Sequence, residues 1–294
     1  MREVLPVTIA CGEAGYPAAL LDLASPPATV SLAGTLEVSP SSVRVAIVGT
    51  REPTPQAADF AGTLAEAVVR RGGVVISGGA AGIDTAAHEG ALAAGGRTWV
   101  VAPTGVGEVY PKGHEALEGR VIAGGGAMVW PFPPGTPPYR GNFLRRNGVL
   151  VALSQVLVIV QAGIPSGALN AAKWAEQLGR ERWVVCPAPW ESSSDFAGCL
   201  VERARGARAL TSVDFFLQAI GVPTLPGRPV PPKRRKPAET CLLAALAAGP
   251  RQVDELVAES GLGWSQAMTA LLTLRVENVL VEGPEGWYRL AAQP

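Results

Sequence analysis

Histidine is almost missing from this sequence, and cysteine is sparse. His88 and His114 are the only two histidines in 294 residues, and Cys11, Cys186, Cys199 and Cys241 stand 175, 13 and 42 residues apart. No C-x-x-C pair and no H-E-x-x-H motif occurs, so neither a zinc site nor a disulfide framework is expected. G-x-S-x-G is absent as well, which removes the commonest hydrolase signature. An excess of one charge is also lacking: 25 Lys+Arg balance 25 Asp+Glu. No run approaches the ~18 unbroken apolar residues of a membrane span. Residues 1–12 include Arg2 and Glu3 and hold no apolar stretch long enough for a signal peptide. A cytoplasmic protein without a membrane partner is the expectation. What is abundant is apolar: 48% of residues are hydrophobic, which excludes disorder as the global state.

Apolar runs alternate with helical periodicity. Strands are predicted at Val43–Val48, Val74–Ser77, Thr98–Ala102, Ala127–Trp130, Val156–Val160 and Trp183–Cys186. Helices are predicted at Pro55–Arg71, Ile83–Ala94, Asn142–Leu153, Ala168–Leu178, Gly198–Arg205 and Val213–Ile220. Strands that are apolar throughout, each followed by a helix, indicate an α/β fold with a doubly wound, mostly parallel Rossmann-like sheet. The pattern stops at residues 222–237, where six prolines and five basic residues make a stiff basic linker. Beyond it, helices around Leu242–Leu246 and Val253–Val257 and at Ser265–Val276 precede two short strands around Gly283-Pro284-Glu285-Gly286. On the third helix Met268, Leu271 and Leu272 are expected to face inward. Three helices and a hairpin predict a small C-terminal winged helix-turn-helix. The division is therefore residues 1–40 as a lead-in packing on the core, 41–221 as the Rossmann-like domain, 222–237 as linker and 238–294 as winged helix.

In such a sheet ligands bind beyond the carboxyl ends of the strands. Gly49-Thr50-Arg51 follows the first predicted strand, and Ser77-Gly78-Gly79-Ala80-Ala81-Gly82-Ile83-Asp84 follows the second. Gln161 to Gly167 opens a further helix with Ser166-Gly167. Glycines before a helix start permit close backbone approach to an anion. Gly49, Thr50, Ser77, Gly78, Gly79, Gly82, Ser166 and Gly167 are therefore candidate phosphate-binding positions, with tight turns as the alternative. G-x-G-x-x-G and the P-loop are both absent, so no NAD or ATP site is expected, and no cofactor or metal.

Basic residues gather at the same strand ends: Arg51, Lys112 in Tyr110-Pro111-Lys112, and Arg140, Arg145 and Arg146, with Tyr139 and Phe143 among them. Cations interleaved with aromatics track a phosphate backbone and stack bases. A core anchor for Phe143 and a solvated helix face for the arginines are the competing readings. Asp84 and His88, four apart on one helix, are read as a hydrogen-bonded pair buttressing the loop rather than an acid–base couple, since no nucleophile is near in the pattern.

Taken in order, Val45-Ala-Ile-Val-Gly-Thr-Arg51, Ser77 to Asp84 with Ala87-His88, Tyr110-Pro111, Phe143 to Asn147, Ser166-Gly167 and Leu178-Gly-Arg180 resemble the DNA-processing protein A family (DprA/Smf). Tyr16-Pro-Ala-Ala-Leu20, Pro26-Pro27 and Leu32-Ala33-Gly34 are similar to its lead-in, and the C-terminal unit resembles its winged helix. The resemblance implies a non-catalytic, sequence-nonspecific single-stranded DNA-binding protein. Such a protein protects incoming strands in natural transformation, loads RecA on them and dimerises through the Rossmann domain. It assigns the DNA pocket to Arg51, Lys112, Phe143, Arg146 and Asn147. The sequence departs from the family at Ala81 and Gly148, where arginines are usual, at Leu144 for proline and at Gln161 for an acid. It is also expected to lack the N-terminal helical domain of many members. The alternative is a nucleotide-binding or nucleotide-processing, phosphoribohydrolase-like Rossmann protein, but the P-G-G-x-G-T-x-x-E run of those enzymes is absent.

Overall fold

Apolar residues on both sides of a strand demand cover on both faces, and the first central strand shows how the chain provides it. Val45 and Ile47 of Arg44–Val48 pack into one buried cluster, while Ala46 and Val48 pack into another on the opposite face. The computed structural model describes residues 5–188, 191–222, 237–247, 249–276, 279–283 and 287–290. They fall into two units, residues 1–225 and 226–294.

The first unit runs β1 (Val7–Ala10), a 3₁₀ turn (Ala18–Asp22), β2 (Thr29–Gly34), β3 (Arg44–Val48), α1 (Pro55–Arg70), β4 (Val74–Ser77), α2 (Ile83–Ala93) and β5 (Thr98–Val101). It continues through α3 (Glu115–Ala123), β6 (Ala127–Trp130), α4 (Arg140–Leu153), β7 (Val156–Ile159), α5 (Gly167–Gln177), β8 (Glu181–Val184), α6 (Ala197–Ala204), β9 (Arg208–Ala209) and α7 (Val213–Ala219). One sheet of order β1-β2-β6-β5-β4-β3-β7-β8-β9 results. The strands from β6 through β9 in this order pair parallel, and β1 and β2 add antiparallel at the edge. Residues 7–34 thus extend the sheet itself, which the reading as a packed lead-in did not foresee. The predicted strand at Trp183–Cys186 lies two residues earlier, at Glu181–Val184. Helices α1 and α2 cover one face, with Leu64, Val68, Ile83 and Ala87 inward; α4 and α5 cover the other, with Leu150, Leu153, Ala171 and Ala172 inward. The chain leaves β3 outward to β4 in one direction and returns to β7 in the other, so the switch point lies between β3 and β7.

The second unit runs α8 (Pro237–Leu246), β10 (Arg251–Gln252), α9 (Val253–Ser260), α10 (Trp264–Val276), β11 (Leu280–Glu282) and β12 (Trp287–Leu290), with sheet order β10-β12-β11. Three helices and this sheet make the winged helix. On α10 the buried side is Ala267, Ala270, Leu271 and Leu274, the i, i+3, i+4, i+7 stripe of an amphipathic helix. Leu272 is 54% exposed, contrary to expectation, because it lies on the opposite side from that stripe. Met268 packs partly buried against the cluster. Apart from Val222 and Pro237, the linker lies outside the described residues, as do Pro284, Glu285 and Gly286 of the hairpin signal. Among the described residues no helix is long and apolar enough to cross a membrane.

Candidate nucleic-acid interface

Three strand-end loops meet at the switch point and are laced together by backbone bonds. The Thr50 N–H donates to the Gln161 carbonyl at 2.8 Å, and the Ile83 N–H donates to the Thr50 carbonyl at 3.1 Å. Gln161, only 2% exposed, also accepts from the Thr54 N–H through its side chain at 2.9 Å. The glutamine that stands in place of a usual acid therefore ties the β7 loop to the start of α1. Thr54 caps that helix by accepting from the Ala57 N–H. Between the loops and α4 lies a cleft of about 300 Å³, whose lining includes Thr50, Arg51, Asp84, Phe143, Arg146 and Gly167.

The mouth of the cleft is an aromatic and cationic cluster. The Arg51 guanidinium sits 4.8 Å from the Phe143 ring centroid and 5.6 Å from that of Tyr110, and it donates to the Tyr110 hydroxyl at 3.0 Å. Tyr110 meets Phe143 edge-on, at 4.9 Å between centroids and 75° between planes. Arg51 is exposed and has no carboxylate partner among the described residues, where its guanidinium meets the two rings and the Tyr110 hydroxyl. Phe143 is half-buried, neither a core anchor nor a free side chain. Tyr110 is the residue that sequence reasoning missed. Its Tyr-Pro-Lys motif was noticed, but only the lysine was given a role.

The floor is built around Arg146, which is 4% exposed. Gly78 exists for it: a Cβ there would stand 1.4 Å from Arg146 Nη1. Asp84 lies within electrostatic reach, and Asp84 Oδ2 accepts from the Gly78 N–H at 3.1 Å and the Ala80 N–H at 3.4 Å. Burial pushes the Asp84 carboxyl up from its usual value, while Arg146 and these hydrogen bonds pull it down. Burial likewise lowers Arg146, countered by Asp84, but a guanidinium keeps its proton in a protein. Arg146 Nε is buried without a hydrogen-bond partner.

These contacts correct several expectations for phosphate binding. The loop after β4 already holds an anion of its own, Asp84, so the Gly78 N–H is not open to a phosphate. Ser77 is fully buried and donates its hydroxyl to the Ile47 carbonyl at 2.6 Å, which makes it a strand tie. Gly79 and Gly82 serve the loop through positive φ angles of 70° and 83°. Asp84 and His88 are not bonded to each other: His88 Nδ1 pairs with Thr98 Oγ1 at 2.7 Å. His88 is buried, and desolvation lowers it to about 3, so its imidazole is neutral.

Other predicted residues divide by helix face. Asn147, one turn on from Phe143, lines the cleft but donates to the Gly167 carbonyl and to Asn170 Oδ1, both at 3.1 Å. It positions the start of α5, where Ser166 caps the helix by accepting from the Ala168 N–H. Gly49 and Gly167 line the cleft beside them. Arg145, about 100° round the helix from Arg146, turns away to lie 5.6 Å from the Phe132 ring centroid. Arg140 and Lys112 are exposed and outside the lining, Lys112 two residues beyond Tyr110. Gly148 has a reason in this chain: a Cβ would come within 3.0 Å of the Trp174 indole, which occupies the space an arginine would need. Ala81 is exposed, and nothing in the structure explains its departure from arginine.

Known proteins similar to this chain share one family. The family model "DNA recombination-mediator protein A" matches residues 7–221, and the DprA winged helix domain model matches residues 226–286. A putative DNA processing protein DprA of Mycobacterium tuberculosis is 38% identical over 260 residues, covering 86% of this chain. The chain spans only 65% of that relative's length. DNA processing protein DprA of Bacillus subtilis is 31% identical over 70% of this chain and 69% of its own length. Among solved structures, DNA processing protein A from Helicobacter pylori, described by its single-stranded DNA binding mode, superposes with TM-score 0.64 at 29% identity. It covers 73% of this chain and 95% of that one. DprA from Streptococcus pneumoniae superposes with TM-score 0.65 at 27% identity, over 72% of this chain and 73% of that one. The chain therefore belongs to the DNA recombination-mediator protein A (DprA) family.

Proposed function

We propose that this protein binds single-stranded DNA without sequence preference, and that the cleft between β3, β7 and α4 receives the strand. The carrying observation is the pairing of an unneutralised guanidinium, Arg51, with the Phe143 and Tyr110 rings over a floor that holds Arg146. Among the described residues Asp84 is the only carboxylate in the lining, against Arg51 and Arg146, which leaves the cleft net positive, and its oxygen is engaged by loop N–H groups. A nucleotide supplies both things this mouth lacks: a phosphate for Arg51 and a base face for Phe143. Duplex DNA hides its bases in the stack and offers only the phosphate. The Helicobacter pylori relative's description supports this reading. Lys112 and Arg140, exposed and beyond the cleft, then act as outlying phosphate contacts.

The family description as a recombination mediator supports further steps. Bound strands are protected and passed to RecA in natural transformation or homologous recombination, the chain works as a homodimer through its first unit in the cytoplasm, and it performs no catalysis. Anisotropy of labelled oligo-dT, competed with duplex of equal length and with free nucleotides, tests the primary claim. Displacement by unlabelled oligo-dT but not by duplex or mononucleotide is expected. Tighter binding of a mononucleotide than of oligo-dT would turn the assignment to a nucleotide-binding protein.

A further inference from the structure

Beyond α4 lies a second groove that the cleft does not account for. Its hollows, about 220 and 140 Å³, are each smaller than the cleft's 300 Å³. Leu144, 43% exposed, lines both the cleft and the first hollow, and Arg145 and Trp174 line both hollows. The cleft and the first hollow thus adjoin at Leu144, and the two hollows adjoin at Arg145 and Trp174. Lys173 stands in the first and Phe132 in the second. Arg145 and Lys173 are exposed and form no ion pair among the described residues. No carboxylate among the described residues lines either hollow. Trp174 is held ready: its Nε1 donates to the Leu144 carbonyl at 3.2 Å, and its ring rests against Gly148.

We propose that this outer groove is a second single-strand subsite, which takes the nucleotides that leave the cleft over Leu144. Arg145 and Lys173 meet phosphates there, and Trp174 offers a base an aromatic face. The proposal rests on the cleft binding single-stranded DNA and deepens that reading. Two cations with no acid lining the hollows among the described residues favour a polyanion, and the shared wall at Leu144 favours the strand that the cleft holds over a separate ligand.

The test uses oligo-dT of about four and about twelve nucleotides, which bracket much of the roughly 4–16 nucleotide range of single-strand sites. The full-length chain is compared with Arg145→Ala/Lys173→Ala. Affinity for the short strand is expected to stay within about twofold, and affinity for the long strand to fall about tenfold. The salt slope for the long strand should drop by about 1.4, from ~0.7 per phosphate contact. Binding of the long strand should quench indole fluorescence in the wild type and less so in Trp174→Phe, a variant that keeps a ring in place. An unchanged affinity and slope for the long strand, or equal losses at both lengths, would overturn the second subsite. If the wild type bound neither strand, the reading of the cleft itself would fail, which separates the two claims.

Discussion

The cleft of the first unit and the exposed side of α10 in the second are both places where a DNA-binding protein presents side chains, and they differ in kind. The cleft assembles Arg51, Phe143, Tyr110 and Arg146 from three distant segments, with its one carboxylate internally engaged. Helix α10 has a single basic residue, Arg275. Its Thr269 and Thr273 hydroxyls donate back to the Ser265 and Thr269 carbonyls at 2.8 and 2.9 Å. Residues 238–294 hold three arginines against seven acids, whereas residues 1–221 hold 17 basic and 18 acidic residues. Net charge alone therefore would not have located the site. A nearly neutral unit can bind a polyanion if its cations converge and its acids are consumed elsewhere, as Glu202 is by Arg182 at 2.9 Å and Asp22 by Arg180 at 2.6 Å.

The strongest way to break the contrast is at the mouth of the cleft. Phe143→Ala should cost about 1–3 kcal/mol of binding. Arg51→Ala should reduce the salt slope by ~0.7. Together they should weaken oligo-dT binding at least about a hundredfold by anisotropy, with circular dichroism unchanged. Affinity retained within tenfold in a folded double variant would move the site away from the cleft.

A somewhat smaller effect is expected beneath the floor. Gly78→Ala places a Cβ 1.4 Å from Arg146 Nη1, so the guanidinium must leave its place. Overpacking of this kind costs about 1–3 kcal/mol, visible as a lower urea midpoint together with weaker DNA binding. Gly119→Ala in α3, where a Cβ meets nothing within 4 Å, is the control: it should raise the urea midpoint slightly, by the ~0.5–1 kcal/mol that alanine gains over glycine inside a helix, and leave DNA binding unchanged. Equal behaviour of the two variants would show that Arg146 is not held by the glycine loop.

The pH dependence is smaller again near neutrality. His88 is lowered from 6.5 to about 3 in the fold. The unfolded chain takes up this proton below about 6.5 while the folded chain refuses it, so stability is lost as pH falls from 6.5 towards 3. Glu118, raised to about 7 by burial, contributes the opposite sign: its stability is full below 4.5 and lost as pH rises towards 7. The two oppose each other between pH 4.5 and 6.5, so the His88 contribution has to be isolated by difference. Wild type compared with His88→Gln should lose up to about 1.4 kcal/mol per pH unit through this window in denaturant titrations. Parallel curves for the two proteins would mean that His88 is protonated in the fold.

How much of this was legible beforehand follows from the same contrast. The central strands were plain because strands buried on both faces are continuous apolar runs, and β4 and β6 fall at the predicted residues. Strands β1 and β2 were missed because their sequences are mixed, as in Thr29–Gly34, and because β2 finds its place by pairing with β6, nearly a hundred residues away, and β1 by pairing with β2. Helix α3 was missed because Glu115–Ala123 has a weak apolar stripe, with Gly119 at its centre and Gly124 just past its end. At the site, proximity in sequence misled. Arg145 and Arg146 are neighbours in the chain, yet one lies over Phe132 outside the cleft and the other is buried at its floor. Asp84 and His88 lie one turn apart, which suggests a pair, but the loop N–H groups of Gly78 and Ala80 claim the Asp84 carboxylate and Thr98 claims the imidazole.

The smallest expected effect sharpens the comparison most. Removing residues 238–294 takes away three arginines and seven acids, a net change that slightly favours DNA, and leaves the basic run Lys233-Arg234-Arg235-Lys236 in place. The first unit keeps its own buried clusters on both sheet faces, so its fold does not depend on Leu242, Leu256 or Leu274. Phosphate neutralisation dominates affinity for nucleic acid, and a helix with one cation offers little of it. Oligo-dT affinity of the truncated chain should therefore lie within about threefold of the full chain, with the same slope of log K against log salt. If the affinity fell more than tenfold with a shallower slope, the winged helix would be supplying phosphate contacts, and Arg251, Arg275 and Arg289 would be the residues to test next. If affinity is retained, α10, with Trp264 and Leu272 each 54% exposed, is a surface for a protein rather than for DNA. The two units then divide the work, one holding the strand and the other a protein partner.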